Sequence, residues 1–148
     1  MTIIALLAAV LAGSALAQAP RFRYIKGDSE AVDRTTHLTW RRCLEGMNWD
    51  GVTCAGTPAT FVHEAAVAHT QSQKGWRLPT AKELFSLVDR TQPSPVIDLD
   101  AFPGTPAEWF WSASLYDGYP GSAWQISFKD GEVRTSYNHH GYLIRLVR

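Results

Sequence analysis

Short runs of alternating apolar and polar residues, broken by glycine and proline, occupy both ends of the chain, and two stretches of helical period lie between them. Phe22-Arg23-Tyr24-Ile25 and His37-Leu38-Thr39-Trp40 alternate with the period of a strand and read as a hairpin. Turn signals stand at Gly27-Asp28-Ser29 and at Arg34-Thr35-Thr36, with Ala31-Val32-Asp33 leading into the second. Leu38 and Trp40 fall on one face of their run. A first helix is predicted over residues 61–72, capped by Thr60, with Phe61, Ala65 and Ala68 on one stripe. A second opens at Thr80-Ala81-Lys82-Glu83, a capping box in which the hydroxyl and the carboxylate satisfy each other's backbone donors. Leu84, Leu87 and Val88 make its apolar face, and the helix should end near Asp89, ahead of Pro93 and Pro95. Between the helices, Pro79 biases Leu78 to an extended conformation. That sends Trp76 and Leu78 towards a core and leaves Arg77 to solvent or to a carboxylate.

The last third reads as strands: residues 108–114, 123–128, 133–135 and 143–147. Asp130-Gly131 is the signal of a type I′ hairpin turn. Residues 43–58 form a loop with three glycines and a proline and no period. Trp49 is placed to pin this loop to the body, and Asp50-Gly51 marks a tight turn within it.

The first residues change the reading of the cysteines. Residues 3–11 are apolar, and Ala15-Leu16-Ala17 has the small-x-small pattern of a signal-peptidase site, although no Lys or Arg precedes the run. Residues 1–17 are therefore read as a signal peptide, cut after Ala17, and residues 18–29 as an N-terminal segment. The domain proper follows as residues 30–148, periplasmic or secreted and without a membrane span. In an oxidising compartment the only two cysteines, Cys43 and Cys54, should pair and close the long loop. Their spacing is not C-x-x-C, and no companion cluster completes a zinc site. Formal net charge is zero, which speaks against a nucleic-acid binder. A hydrophobic fraction of 45% fits one domain with a buried core.

A series of short motifs carries a family resemblance: Val32-Asp33 with Leu38-Thr39-Trp40, then Trp49-Asp50-Gly51-Val52-Thr53-Cys54, then Trp76-Arg77-Leu78-Pro79-Thr80 with Lys82-Glu83-Leu84 and Leu87-Val88-Asp89. Phe102-Pro103, Trp111-Ser112-Ala113-Ser114, Phe128-Lys129-Asp130-Gly131 and Arg145-Leu146-Val147-Arg148 complete it. In this order and spacing the chain resembles the Lcl-type C-terminal domain, the terminal domain of a bacterial collagen-like adhesin. That family is similar in fold to C-type-lectin-like domains, the branch of the formylglycine-generating enzymes included. The resemblance implies an α+β fold, two helices packed on small antiparallel sheets with the termini close together. It implies adhesion or ligand binding, with sulfated polysaccharides as ligands of the named adhesin. His37 stands where the family carries glycine, which implies a left-handed residue at that turn. The enzymes of that branch use cysteines late in the domain, and no cysteine follows Cys54, so their activity is not expected here.

The late aromatics are the candidate binding surface: Trp111, Tyr116, Tyr119, Trp124, Tyr137, Asn138, His139 and Tyr142. Such rings offer an apolar face and a hydrogen-bonding edge at small entropic cost. Trp111 and Trp124 lie in alternating strands and read first as core, whereas the tyrosines stand near glycines and turns. The expected ligand is a polysaccharide or a surface protein, with no cofactor, no metal and no catalytic residue. Two other readings stay open: a small hydrolase using His139 or His140 with a nearby carboxylate, and an assembly domain that forms a homo-oligomer through the patch. Asp98 and Asp100 lack the six or more oxygens of a calcium site and read as a turn. Ser112 and Ser114 lack the setting of a nucleophile.

Overall fold

A computed structural model describes residues 17–148; the signal peptide read from the sequence lies, apart from Ala17, outside them. The chain opens with β1 (Phe22–Ile25), β2 (Glu30–Asp33) and β3 (Thr39–Arg41), an antiparallel meander in that order. The two alternating runs are therefore not partners. Residues 30–33 form a strand between them, with Phe22 opposite Asp33 and Ala31 opposite Trp40. Ala31 and Trp40 are both fully buried, and Phe22 joins the same core. The segment read as an N-terminal extension thus contributes a strand and a core side chain.

Asp33 organises the turn into β3. Its carboxylate accepts from the Thr35 N–H at 2.9 Å and the Thr36 hydroxyl at 2.9 Å, and from Arg21 at 3.0 and 2.6 Å. Burial pushes its pKa up, but Arg21, Thr35 and Thr36 outweigh burial and hold it below the usual carboxylate range. His37 closes the turn at φ 61°, the left-handed conformation that a glycine position implies.

The long loop carries β4 (Asn48–Trp49) and β5 (Cys54–Ala55), a two-stranded ribbon closed by the Cys43–Cys54 disulfide. The first helix, α1, is His63–Gln71, two residues shorter at its start than the sequence predicts, and Val62 stands at its N-cap without a side-chain bond. Phe61 and Tyr142 exchange two backbone hydrogen bonds of 2.9 Å, which holds Phe61 extended and delays the helix. The second, α2, is Ala81–Phe85 with the expected capping box. It stops well before Asp89, whose N–H turns aside to Val96 O at 2.8 Å. Tight turns carry the same face onward, and Leu84 and Leu87 are buried. Ahead of α2, Arg77 grips Glu83 with two bonds of 2.8 Å, and Leu78 is buried, as the proline-fixed register requires.

The C-terminal sheet has β6 (Trp109–Leu115), β7 (Ser122–Ser127) and β8 (Val133–Tyr137) in sequential antiparallel order. The β7–β8 turn is not type I′. Asp130 keeps negative φ and only Gly131 is left-handed, at 80°, so the loop spans four residues between Ser127 and Glu132. Residues 143–147 are buried but form no strand. They bridge the sheets: Leu143 beside Phe110, and Val147 beside both Trp40 and Arg77. Arg145 sits in this segment fully buried, donating to the Arg41 and Arg42 carbonyls and to the Thr105 hydroxyl, while burial pushes its pKa down to about 9. Two short helices and three small antiparallel sheets make an α+β fold among the described residues.

Candidate aromatic binding site

The far end of the C-terminal sheet places the late tyrosines. The β6–β7 connection, residues 116–121, folds back tightly: Tyr116 N–H donates to Ser122 O at 2.9 Å and Ser122 N–H to Tyr119 O at 3.2 Å. Gly118 has no side chain where one is needed least, since a Cβ there would lie 2.4 Å from the Tyr116 hydroxyl. The exit of β8 lies alongside, tied by Asn138 N–H to Gly121 O at 2.9 Å. Two loops distant in sequence thus form one surface.

On that surface Tyr116 is 37% exposed, Tyr119 54% and Tyr137 45%. Tyr119 and Tyr137 meet edge to face at 5.4 Å, Tyr137 lies 5.6 Å from His139, and His139 lies 4.4 Å from His140. Tyr116 packs at 5.3 Å on Trp124. A hollow of about 200 Å³ lies among Tyr116, Tyr119, Ser122, Thr135, Ser136 and Tyr137. The neighbouring Tyr119 hydroxyl pushes the Tyr137 phenol pKa up. Beyond Trp124 the surface continues as a shallow apolar hollow with Phe85, Ser114 and Val133.

Trp111 does not belong to this surface. It is fully buried, and its indole N–H donates to Phe61 O at 2.8 Å. An inward strand position beneath α1 makes it core. Trp124 is half-buried and supports Tyr116. Tyr142 is half-buried too, its ring on Trp111 at 5.1 Å and its hydroxyl accepting from Arg134 at 3.3 Å. Asn138 works through its backbone, whose carbonyl accepts from His63 N–H at 2.8 Å.

His139 and His140 are exposed, and neither makes a hydrogen bond or ion pair with a carboxylate among the described residues. The acid–base contact a hydrolase would use is not formed there. Ser112 donates to Trp124 O at 2.7 Å, and Ser114 accepts from Ala81 N–H at 2.9 Å, so both hydroxyls hold strands and helix together. Asp98 caps its own turn, accepting from Asp100 and Ala101 N–H at 2.9 and 3.0 Å. No group of three or more His, Cys, Asp or Glu side chains suited to a metal ion occurs among the described residues.

Arg134 and Trp109 went unread in the sequence. The Arg134 guanidinium lies 3.8 Å over the Trp109 ring and donates to Gln125 Oε1 at 3.1 Å. Trp109, Tyr142, Pro58 and Pro106 then line a hollow of about 320 Å³. Only the polar–aromatic alternation across β6 and β8 hints at it, and the pairing register is needed to see it.

A protein-family model described as the Lcl C-terminal domain matches residues 30–148. No curated protein and no solved structure matches the chain. β1 lies ahead of the matched span, although it completes the first sheet.

Proposed function

Because the chain belongs to the Lcl C-terminal domain family, we propose that it is a non-catalytic binding module acting outside the cytoplasm, periplasmic or secreted. It takes a polysaccharide or a surface protein on the aromatic face of the C-terminal sheet. The observation that carries this reading is the set of three tyrosines, 37–54% exposed, that line one hollow, with Tyr119 and Tyr137 packed edge to face. Exposed rings that pack on one another lose little further freedom on binding, and they offer flat apolar area with hydroxyl rims. The disulfide supports placement in an oxidising compartment. The two short helices on small antiparallel sheets support likeness to C-type-lectin folds.

The test is an array of immobilised polysaccharides and extracellular-matrix proteins, probed with the mature chain and with the Tyr116→Ala/Tyr119→Ala variant. Loss of both rings should weaken a captured ligand more than tenfold, about 1.4 kcal/mol or more, with an unchanged circular-dichroism melt. Undiminished capture by the variant would remove the aromatic face as the site.

A further inference from the structure

Between the paired residues Glu30 and Arg41 of the first sheet, the disulfide loop and Trp76 lies a second hollow, of about 470 Å³, which shares no residue with the tyrosine face. We propose that this cup binds a neutral sugar, one or two pyranose rings in size. Its lining includes Glu30, Arg41, Glu45, Asn48, Trp49 and Trp76.

The walls are charged, and their charges are paired. Glu30 and Glu45 are buried to 9% and 8% exposure. Glu30 accepts from Arg148 at 2.6 Å. Glu45 accepts from Arg41 at 2.7 Å, and its other oxygen lies 2.6 Å from His69 Nε2. Both guanidiniums lie over Trp76, Arg41 at 4.9 Å and Arg148 at 4.7 Å. Each charged side chain of the lining is thus paired within the protein, which leaves neither sign free for a charged ligand.

What remains open suits hydroxyl groups. The second oxygen of Glu30 and the whole amide of Asn48, both in the lining, have no partner among the described residues. Acceptors and donors thus stand side by side. A hydroxyl is both at once, so a polyol can satisfy such a set where a purely donating or purely accepting ligand cannot. The indoles of Trp49 and Trp76 line the same cup, so a bound polyol lies beside both.

The cup is rigid before any ligand arrives. Arg42 lies 4.3 Å over Trp49 and is itself fixed by the carbonyls of Asp28, Asp100 and Ala101 at 2.6, 2.7 and 2.9 Å. Gly46 has φ 89°, and a Cβ there would lie 2.6 Å from Ala59 N, so the loop has one path past it. The disulfide closes the loop that carries Leu44 to Trp49. A preformed wall lowers the ordering cost of binding.

The six tryptophans give the test its readout. Each contributes one indole N–H resonance to a nitrogen-15 spectrum of the mature chain. Titration with the methyl glycosides of glucose, galactose and N-acetylglucosamine should shift Trp49 and Trp76 and leave Trp124 in place. A ceiling of about 50 mM registers a millimolar Kd. Asn48→Ala removes an exposed side chain without a fold partner, and should weaken the response three- to tenfold, in line with loss of about one hydrogen bond. No shift of Trp49 or Trp76 with any of the three sugars overturns the proposal. So does a response that Asn48→Ala leaves untouched, or a larger shift of the two resonances with heparin. Movement of Trp124 alone also overturns it, while leaving the aromatic face standing as a ligand site.

Discussion

His37 shows what one residue costs. Its left-handed backbone, at φ 61°, is disfavoured for an L-residue by roughly 1–2 kcal/mol. Its exposed side chain makes no hydrogen bond in return among the described residues. Glycine removes the clash but gives back part of the gain as chain entropy, about 0.5–1 kcal/mol. His37→Gly should therefore raise stability by about 0.5 kcal/mol in urea denaturation; a fall would mean that the imidazole holds the turn. Asp33, in the same turn, titrates with the opposite consequence. Its folded-state pKa is depressed, so the stability it contributes is complete above its unfolded pKa, near pH 4. That contribution is lost as pH falls through the lower, folded value. The urea midpoint should drop below about pH 4 in the parent chain and drop less steeply in Asp33→Asn. That variant also takes the carboxylate from the part-exposed Arg21 and should cost about 2 kcal/mol at neutral pH, the scale of hydrogen bonds to a charged group. An equal acid slope in both chains would assign the effect elsewhere. Single residues of this kind were legible from the sequence wherever the chemistry is local, as at the capping box of Thr80 and Glu83 and the turn-capping Asp98, while the left-handed position 37 was legible only through the family resemblance. Asp33 was not, because its partner Arg21 lies across a strand pair that no local pattern reveals.

Elements depend on who pairs with whom, and there the sequence pattern runs out sooner. Residues 30–33 alternate too weakly to announce a strand, yet pairing on both sides makes them the centre of the first sheet. Residues 143–147 are apolar enough for a strand, but their backbone bonds go to three different neighbours, so no ladder forms. Helix ends moved for the same reason, since Phe61 and Asp89 are drawn off by distant carbonyls. The disulfide ribbon is the element on which the fold relies least for core and most for closure. Its loop of 11 residues' separation constrains the unfolded chain by about 3 kcal/mol in the chain-entropy account. Cys43→Ser/Cys54→Ser should lower unfolding free energy by about that amount while leaving the far-ultraviolet spectrum of the body intact. A loss below about 1 kcal/mol would mean that Trp49 and Arg42 already hold the loop without it.

At the scale of the molecule, residues far apart in sequence meet on two surfaces of different character. The tyrosine face gathers two loops at the end of one sheet and is aromatic and open. The cup gathers the end of a strand pair, a disulfide loop and Trp76, and is polar, with its charged side chains paired. The first was half legible, because tyrosines beside glycines and turns rarely pack inward; only burial separates Trp111 from them. The second was not legible, since Trp49 and Trp76 sit in segments that read separately as a pinned loop and an extended connection between the helices. The most direct test of the aromatic face is tyrosine nitration of residues 18–148, read residue by residue by mass spectrometry, with and without a saturating ligand found on the array. Tyr116, Tyr119 and Tyr137 should react in the free chain and be shielded in the complex, while Tyr24, stacked with Arg42 on β1, reacts alike in both. Equal nitration of the three tyrosines with and without the ligand would contradict the assignment.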